Sequence, residues 1–195
     1  MASIVSTETP TDVVNQPIAN RGTGAGGAGT NATGLAYESS TDLMSVCDIA
    51  RPVPNGHAVM FHGDDTYRTY ILTSQSKVFK YLAPHKREDI KPAHGCKKPD
   101  ECVIDETAKR IFIIEKKFQH CSGSVCEKIQ SSDFKLWQYR RLFPSHDIHY
   151  IYCLSDWFKT NCPAELEYLS EKNVPVFWGE SPTYRQDIVS YILNC

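Results

Sequence analysis

The chain has 195 residues and a formal net charge of −2, from 21 basic and 23 acidic side chains. This near balance excludes a histone-like polycation, and a content of 41% hydrophobic and 11% aromatic residues excludes wholesale disorder. No apolar run approaches the roughly 18 residues that a membrane span needs, and the N-terminus lacks the basic and apolar regions of a secretory signal. We therefore expect a cytoplasmic protein with one main domain and no membrane partner.

The glycine-rich start of the chain is expected to be a mobile arm followed by a loop, over residues 1–34. Gly22, Gly24 and Gly27 formally match G-x-G-x-x-G. That pattern indicates dinucleotide binding only between a strand and a helix, and no strand alternation precedes it. A flexible connector is the favoured interpretation. A second interpretation is a loop whose backbone amides approach phosphates.

The eight cysteines are expected to be reduced thiols, because the chain is long and carries no export signal. A zinc site remains an alternative, although the tight C-x2-C spacing of structural zinc sites does not occur. Its candidate ligands are His94, Cys96, Cys102, His120, Cys121 and Cys126.

Residues 35–195 are predicted to form a single domain. The pattern predicts a helix over 35–49, a loop over 51–66, an ambiguous segment over 67–82 and a charged loop that ends near residue 99. A β-hairpin follows, with strands on both sides of a turn at 106–109. Helices are then predicted over 127–143, 163–172 and 184–193, with strands over 148–154 and 174–178. A hairpin followed by alternating strands and helices predicts an α/β fold, with a mixed central β-sheet flanked by helices.

The register of the hairpin places two carboxylates together. If Asp105 opposes Arg110, then Asp100 opposes Glu115, at one end of a strip that contains Ile104, Ile111, Cys102 and Ile113. Lys117 projects from the same face and Lys116 from the other. Like charges that face each other across a hairpin are destabilising, and a hard cation such as Mg²⁺ would offset this cost. Two acids, a lysine and a metal suit phosphodiester hydrolysis, whereas a salt-bridge cluster at the sheet edge is the non-catalytic alternative.

The segment Pro99-Asp100, then Glu115-Lys116-Lys117, resembles the PD-(D/E)XK nuclease motif. Its surroundings, IFIIEKKFQ and EKIQSSDFKLWQYRRLF, are similar to type II restriction endonucleases of bacteria and large algal viruses, as is NRGTGAGGAGTN near the N-terminus. The resemblance spans roughly residues 20–155. It implies the restriction-endonuclease-like core of this superfamily, with Asp100, Glu115 and the Lys116 carbonyl as metal ligands and Lys117 as the catalytic lysine.

The resemblance also implies a further acidic residue on the preceding helix. Glu38 is the candidate, with Asp42 as the alternative. Gln119 and Gln138 are candidates for a supporting or substrate-facing role.

The expected function is a Mg²⁺-dependent, sequence-specific double-stranded DNA endonuclease of restriction type. It would act as a homodimer in a bacterial cell or a virus-infected host cell, or be packaged in the virion. A repair nuclease or junction resolvase of the same superfamily is an alternative, and so is a non-catalytic, zinc-supported nucleic-acid-binding module. Phosphate contacts are expected from basic residues outside the hairpin. These are Arg21, Lys86, Arg87, Lys91, Lys97 and Lys98.

Overall fold

A seven-stranded mixed sheet organises the chain. The computed structural model describes residues 28–93, 98–121 and 125–195. Strands β1 to β5 pair antiparallel with their neighbours, while β6 and β7 continue the sheet in parallel, in the spatial order β1-β2-β3-β4-β5-β6-β7. The strands are β1 (Cys47–Val53), β2 (Gly56–Phe61), β3 (Tyr70–Thr73), β4 (Glu101–Asp105), β5 (Arg110–Lys117), β6 (Asp147–Leu154) and β7 (Val176–Trp178). The predicted α/β class, with a mixed sheet flanked by helices, is confirmed.

Seven α-helices accompany the sheet in the described part of the chain. They are α1 (Ala28–Ser40), α2 (Ser76–Tyr81), α3 (Val125–Ile129), α4 (Ser132–Leu142), α5 (Trp157–Asn161), α6 (Pro163–Glu171) and α7 (Tyr184–Asn194). Short 3-10 turns cover Leu43–Val46 and Ala83–His85. Within the described ranges, no helix combines the length and apolarity that a membrane crossing requires.

The two sides of the sheet carry separate apolar cores. On the side that we call the α4 face, inward residues of the β4–β5 hairpin pack with Tyr139 and Leu142 of α4. On the side that we call the α7 face, the alternate residues pack with Tyr37 of α1 and Ile188 of α7. The hairpin residues are Cys102, Ile104, Ile111 and Ile113 on the α4 face, and Val103, Phe112 and Ile114 on the α7 face.

The first helix begins and ends earlier than predicted. Residues 28–34, which were assigned to the glycine-rich loop, form the start of α1, and the predicted helix over 35–49 was wrong beyond Ser40. The hydroxyls of Ser40 and Thr41 both donate to the carbonyl of Tyr37, and so end the helix. Residues 1–27 of the predicted arm, with its G-x-G-x-x-G pattern, lie outside the described residues.

The predicted loop over 51–66 was wrong, because most of it forms the β1–β2 hairpin. Pro52 argues against a central strand, but β1 is an edge strand, where a missing N–H is tolerated. Asn55 turns the chain with a φ of 65°, and a Cβ on Gly56 would lie 2.9 Å from the carbonyl oxygen of Leu72. The ambiguous segment that follows resolves into β3 and α2.

The helix predicted over 127–143 is two helices. The hydroxyl of Ser131 donates to the carbonyl of Lys128, and this local bond competes with helix continuation between α3 and α4. Cys126 on α3 forms a disulfide with Cys162, which precedes α6. The expectation that all eight cysteines are free thiols was therefore wrong for this pair.

Candidate metal and catalytic site

The predicted register of the β4–β5 hairpin is confirmed. Asp105 pairs with Arg110, and the ladder runs through to Glu101 and Ile114. Asp100 lies one residue before β4, whereas Glu115 lies within β5. Strand β6 pairs parallel with β5 along the whole length of both strands. Glu115 is therefore held inside the sheet, near the carboxyl end of β5.

Three oxygen atoms converge on the ammonium nitrogen of Lys117. Its Nζ lies 2.7 Å from Glu115 Oε1 and 3.5 Å from Asp100 Oδ2, and it donates to the carbonyl oxygen of Lys116 at 2.9 Å. These are the oxygens that the nuclease resemblance implies as metal ligands. The structure thus brings oxygens of Asp100, Glu115 and Lys116 together around the ammonium group of Lys117.

A second lysine, Lys135 on α4, also reaches Glu115. Its Nζ donates to Glu115 Oε1 at 2.9 Å. Burial alone raises the pKa of Glu115, but the charges of Lys117 and Lys135 outweigh it and hold the pKa below its ordinary value. Burial lowers the pKa of Lys117, but the charges of Glu115 and Asp100 reverse this and raise it. The cluster therefore favours the ionised form of Glu115 and the protonated form of Lys117.

Glu38 rather than Asp42 joins this cluster. Lys116 Nζ donates to the carbonyl of Glu38 at 3.0 Å, which places Glu38 beside the end of β5. Burial raises the pKa of the Glu38 carboxyl, and the charge of Asp100 raises it further. The Asp42 carboxylate instead caps the 3-10 turn by accepting from the N–H of Met44 at 2.5 Å. The carboxylates of Asp100 and Glu115 are matched by the ammonium groups of Lys117 and Lys135, and the charges of Asp100 and Lys117 also act on the Glu38 carboxyl.

The opposite face of the same hairpin end carries a closed ion pair. Lys116 Nζ lies 3.0 Å from Glu101 Oε2, and both side chains are at most 5% exposed. Lys116 also donates to the carbonyl of Glu38 at 3.0 Å, and Glu101 accepts from the N–H of Leu43 at 3.0 Å. This pair therefore fixes the end of α1, which carries Glu38, onto the hairpin.

The predicted basic residues do not all lie beside this cluster. Lys98 is exposed and immediately precedes Pro99-Asp100. Arg87 lies at the far end of the hairpin, because its N–H donates to the carbonyl of Leu142 at the end of α4, while Tyr81 contacts Glu106 in the β4–β5 turn. Arg87 is also paired with Asp89. Lys86 adjoins Arg87, Lys91 is exposed, and Arg21 and Lys97 lie outside the described residues.

The two glutamines singled out in the sequence have local roles. Gln119 uses its side-chain amide to donate to the carbonyl of Cys121, and its backbone N–H to donate to Ser155. Gln138 is buried on α4, with 4% of its side chain exposed. Neither residue contributes one of the oxygens that surround Lys117.

The alternative zinc site does not assemble among the described residues. Cys102 is fully buried in the core of the α4 face, and Cys126 is bonded to Cys162. Glu165 lies close to this disulfide, but the two sulfur atoms are bonded to each other and are not free thiolates. His94 and Cys96 lie outside the described residues.

Sequence reasoning missed Lys135, Glu101 and Gln75. Lys135 lies twenty residues from Glu115, and no local pattern connects them. Glu101 could have been found, since strand alternation directs its side chain to the face away from Asp100, which is also the face of Lys116. Gln75 donates from Nε2 to Asp100 Oδ1 at 3.4 Å, and it precedes a helix that the sequence left ambiguous.

The donor set fits a hard divalent cation. Two carboxylates and one backbone carbonyl all lie within 3.5 Å of a single positively charged nitrogen, and oxygen ligands of this kind are those that Mg²⁺ prefers. In comparisons with known proteins, the chain matches no family model, no curated protein and no solved structure. The functional conclusion therefore depends on the site itself.

Proposed function

We propose that the protein is a Mg²⁺-dependent endonuclease that hydrolyses phosphodiester bonds in double-stranded DNA, of the type II restriction class. The observation that supports this most is the convergence of the Asp100, Glu115 and Lys116 oxygens on the amine of Lys117. The order of elements supports it too, because the antiparallel meander β3-β4-β5, then α4, then the parallel strand β6 places the motif where β4 begins and β5 ends, inside the sheet.

Each residue has a distinct task in this proposal. Asp100, Glu115 and the Lys116 carbonyl would hold Mg²⁺, which supplies Lewis-acid activation of a phosphate oxygen and of the attacking water. Lys117 has its amine 2.7 Å from Glu115, where it can orient the attacking water or stabilise charge on the pentacovalent phosphorus. Glu38 adds a third carboxylate, whose pKa responds to the charges of Asp100 and Lys117.

The proposed partners follow from the substrate. Cutting both strands with one active site per chain is most simply achieved by a two-fold homodimer on a palindromic site. We propose such a dimer on DNA, in the cytoplasm of a bacterial or virus-infected cell. Sedimentation with a cognate duplex measures it, and double-strand cutting by a strictly monomeric complex contradicts it.

The test is digestion of DNA of known sequence with Mg²⁺, Ca²⁺ or EDTA, followed by mapping of the fragment ends. We expect discrete ends with Mg²⁺, binding without cleavage with Ca²⁺, and no cleavage in EDTA. Asp100→Asn should inactivate the enzyme, while Asp65→Asn, at an exposed carboxylate outside the cluster, should not. Undiminished cleavage in EDTA, or equal activity of the two variants, contradicts the proposal. Preference for a branched substrate would instead indicate a junction resolvase.

A further inference from the structure

Asp100 lies just outside the strand ladder of the β-sheet. Because β4 begins at Glu101, Asp100 has no partner in the strand ladder, whereas Glu115 is paired within β5. The residue before Asp100 is tied instead to the β3–α2 connection, where the N–H of Gln75 donates to the carbonyl of Pro99 at 2.8 Å. The orientation of the Asp100 carboxylate therefore depends on the contacts of its two oxygens, with the N–H of Lys116 and the side chains of Lys117 and Gln75.

Gln75 stands at a position that would suit glycine better. Its backbone has a φ of 52° and a ψ of −133°, a region that residues with a Cβ rarely adopt. Strained backbone of this kind persists where surrounding structure enforces it, and it is common at functional sites. Gln75 therefore combines a strained backbone with a side chain that contacts Asp100.

We propose that Gln75 is a positioning residue that orients Asp100 for cation binding. Its Nε2 donates to Asp100 Oδ1, while Oδ2 accepts the N–H of Lys116 at 2.8 Å and faces the amine of Lys117. Gln75 thus contacts Oδ1, while Oδ2 faces the N–H of Lys116 and the amine of Lys117. The inference depends on the proposed function, since it takes Asp100 to be a metal ligand.

The test compares Gln75→Gly with Gln75→Ala in the full chain. Both variants lose the amide donor, and we expect each to bind Mn²⁺ about 10-fold more weakly in calorimetric titration, the usual effect of removing a group that supports a metal ligand. Only Gln75→Gly relieves the strain, so its melting temperature in EDTA should rise while that of Gln75→Ala does not. A purely structural role would lower the melting temperature of both variants.

Lys109→Gly is the matched control. Lys109 also has a positive φ, 56°, but it lies in the β4–β5 turn, at the end of the hairpin away from Asp100. We expect this variant to bind Mn²⁺ like the wild type. Unchanged Mn²⁺ affinity in Gln75→Gly, or a lower melting temperature, overturns the inference alone. Absence of Mn²⁺ binding by the wild type removes the proposed function and the inference with it.

Discussion

The two faces of the β4–β5 hairpin both carry glutamate and lysine, but one face holds an isolated ion pair and the other a shared cluster. On the α4 face, Asp100 and Glu115 form a shared cluster with Lys117 and Lys135, where β4 begins and β5 ends. On the α7 face, Glu101 and Lys116 form a one-to-one pair that backbone groups of Leu43 and Glu38 complete. Successive residues of the sequence alternate between these two arrangements.

The difference shows that surroundings, and not residue type, decide what these charges can do. The pair on the α7 face leaves no charge in excess, and its hydrogen bonds go to the chain itself, so its effect is to dock α1. The cluster on the α4 face directs two carboxylate oxygens and a backbone carbonyl oxygen at one nitrogen, and these are oxygen ligands that a hard cation prefers. The same tripeptide, Glu115-Lys116-Lys117, thus contributes both to the docking of α1 and to the cluster on the α4 face.

Glu115→Gln should have the largest effect on activity. It removes a proposed metal ligand while keeping the size of the side chain, and we expect single-turnover cleavage to fall by about 10⁴-fold, the upper end for a group that acts in the transition state. The matched change on the other face, Glu101→Gln, leaves Lys116 buried without its counter-charge. It should lower stability and leave the cleavage rate of the folded protein nearly unchanged. Equal rates for the two variants would show that the faces are not distinct.

Lys117→Met should separate chemistry from metal binding. It keeps the aliphatic stem and removes the ammonium, so we expect cleavage to fall by about 10²–10⁴-fold. The three oxygens that surrounded the amine lose a competing cation, and Mn²⁺ affinity measured by calorimetry should stay the same or increase. A large loss of Mn²⁺ affinity would show that Lys117 supports the site structurally.

Strand alternation made the centre of this site predictable. The hairpin register depends on a turn and an apolar strip that are both local in sequence, so Asp100, Glu115 and Lys117 could be placed on one face and Lys116 on the other. The edge strand β1 was missed because Pro52, and Pro54 directly after the strand, are typical of a loop. Only the sheet topology shows that Pro52 lies on an edge strand, where a missing N–H is tolerated.

Contacts between distant segments could not be predicted in the same way. Lys135 reaches Glu115 because α4 packs across the sheet, and Gln75 reaches Asp100 because β3 pairs with β4. Arg87 has the charge of a phosphate contact, but the length of α2 carries it to the far end of the hairpin. Such placements depend on element lengths and packing, which a charge pattern does not specify.

Lys116→Met should affect stability more than chemistry. It leaves Glu101 buried and unpaired, and breaking a buried ion pair in this way costs about 3–5 kcal/mol of unfolding free energy. The double variant Glu101→Gln, Lys116→Met removes both charges and keeps an acceptor for the N–H of Leu43, so it should recover much of that loss in urea unfolding. Single-turnover cleavage by folded Lys116→Met should stay close to the wild-type rate. If it falls as far as that of Lys117→Met, the assignment of the two lysines to different roles is wrong.

The smallest expected effect is a difference in how the two faces respond to pH in the metal-free protein. The pKa of Glu115 is lowered on folding, so its contribution to stability is complete above its ordinary pKa of 4.5 and is lost as pH falls through the lowered value. Burial raises the pKa of Glu101, and Lys116 offsets this only in part. Between pH 4.5 and the raised pKa of Glu101, the folded state binds more protons than the unfolded state. The contribution of Glu101 to stability therefore weakens as pH rises.

Urea unfolding in EDTA, from about pH 3 to pH 7, measures both effects, with each glutamine variant as the reference for its own group. The difference in unfolding free energy between the wild type and Glu115→Gln should be constant above pH 4.5 and shrink below it. The difference between the wild type and Glu101→Gln should grow as pH falls towards 4.5. Because the two slopes have opposite signs, a common drift in overall stability cannot produce both. Slopes of the same sign would show that the two carboxylates share one environment, and the distinction between the faces would not hold.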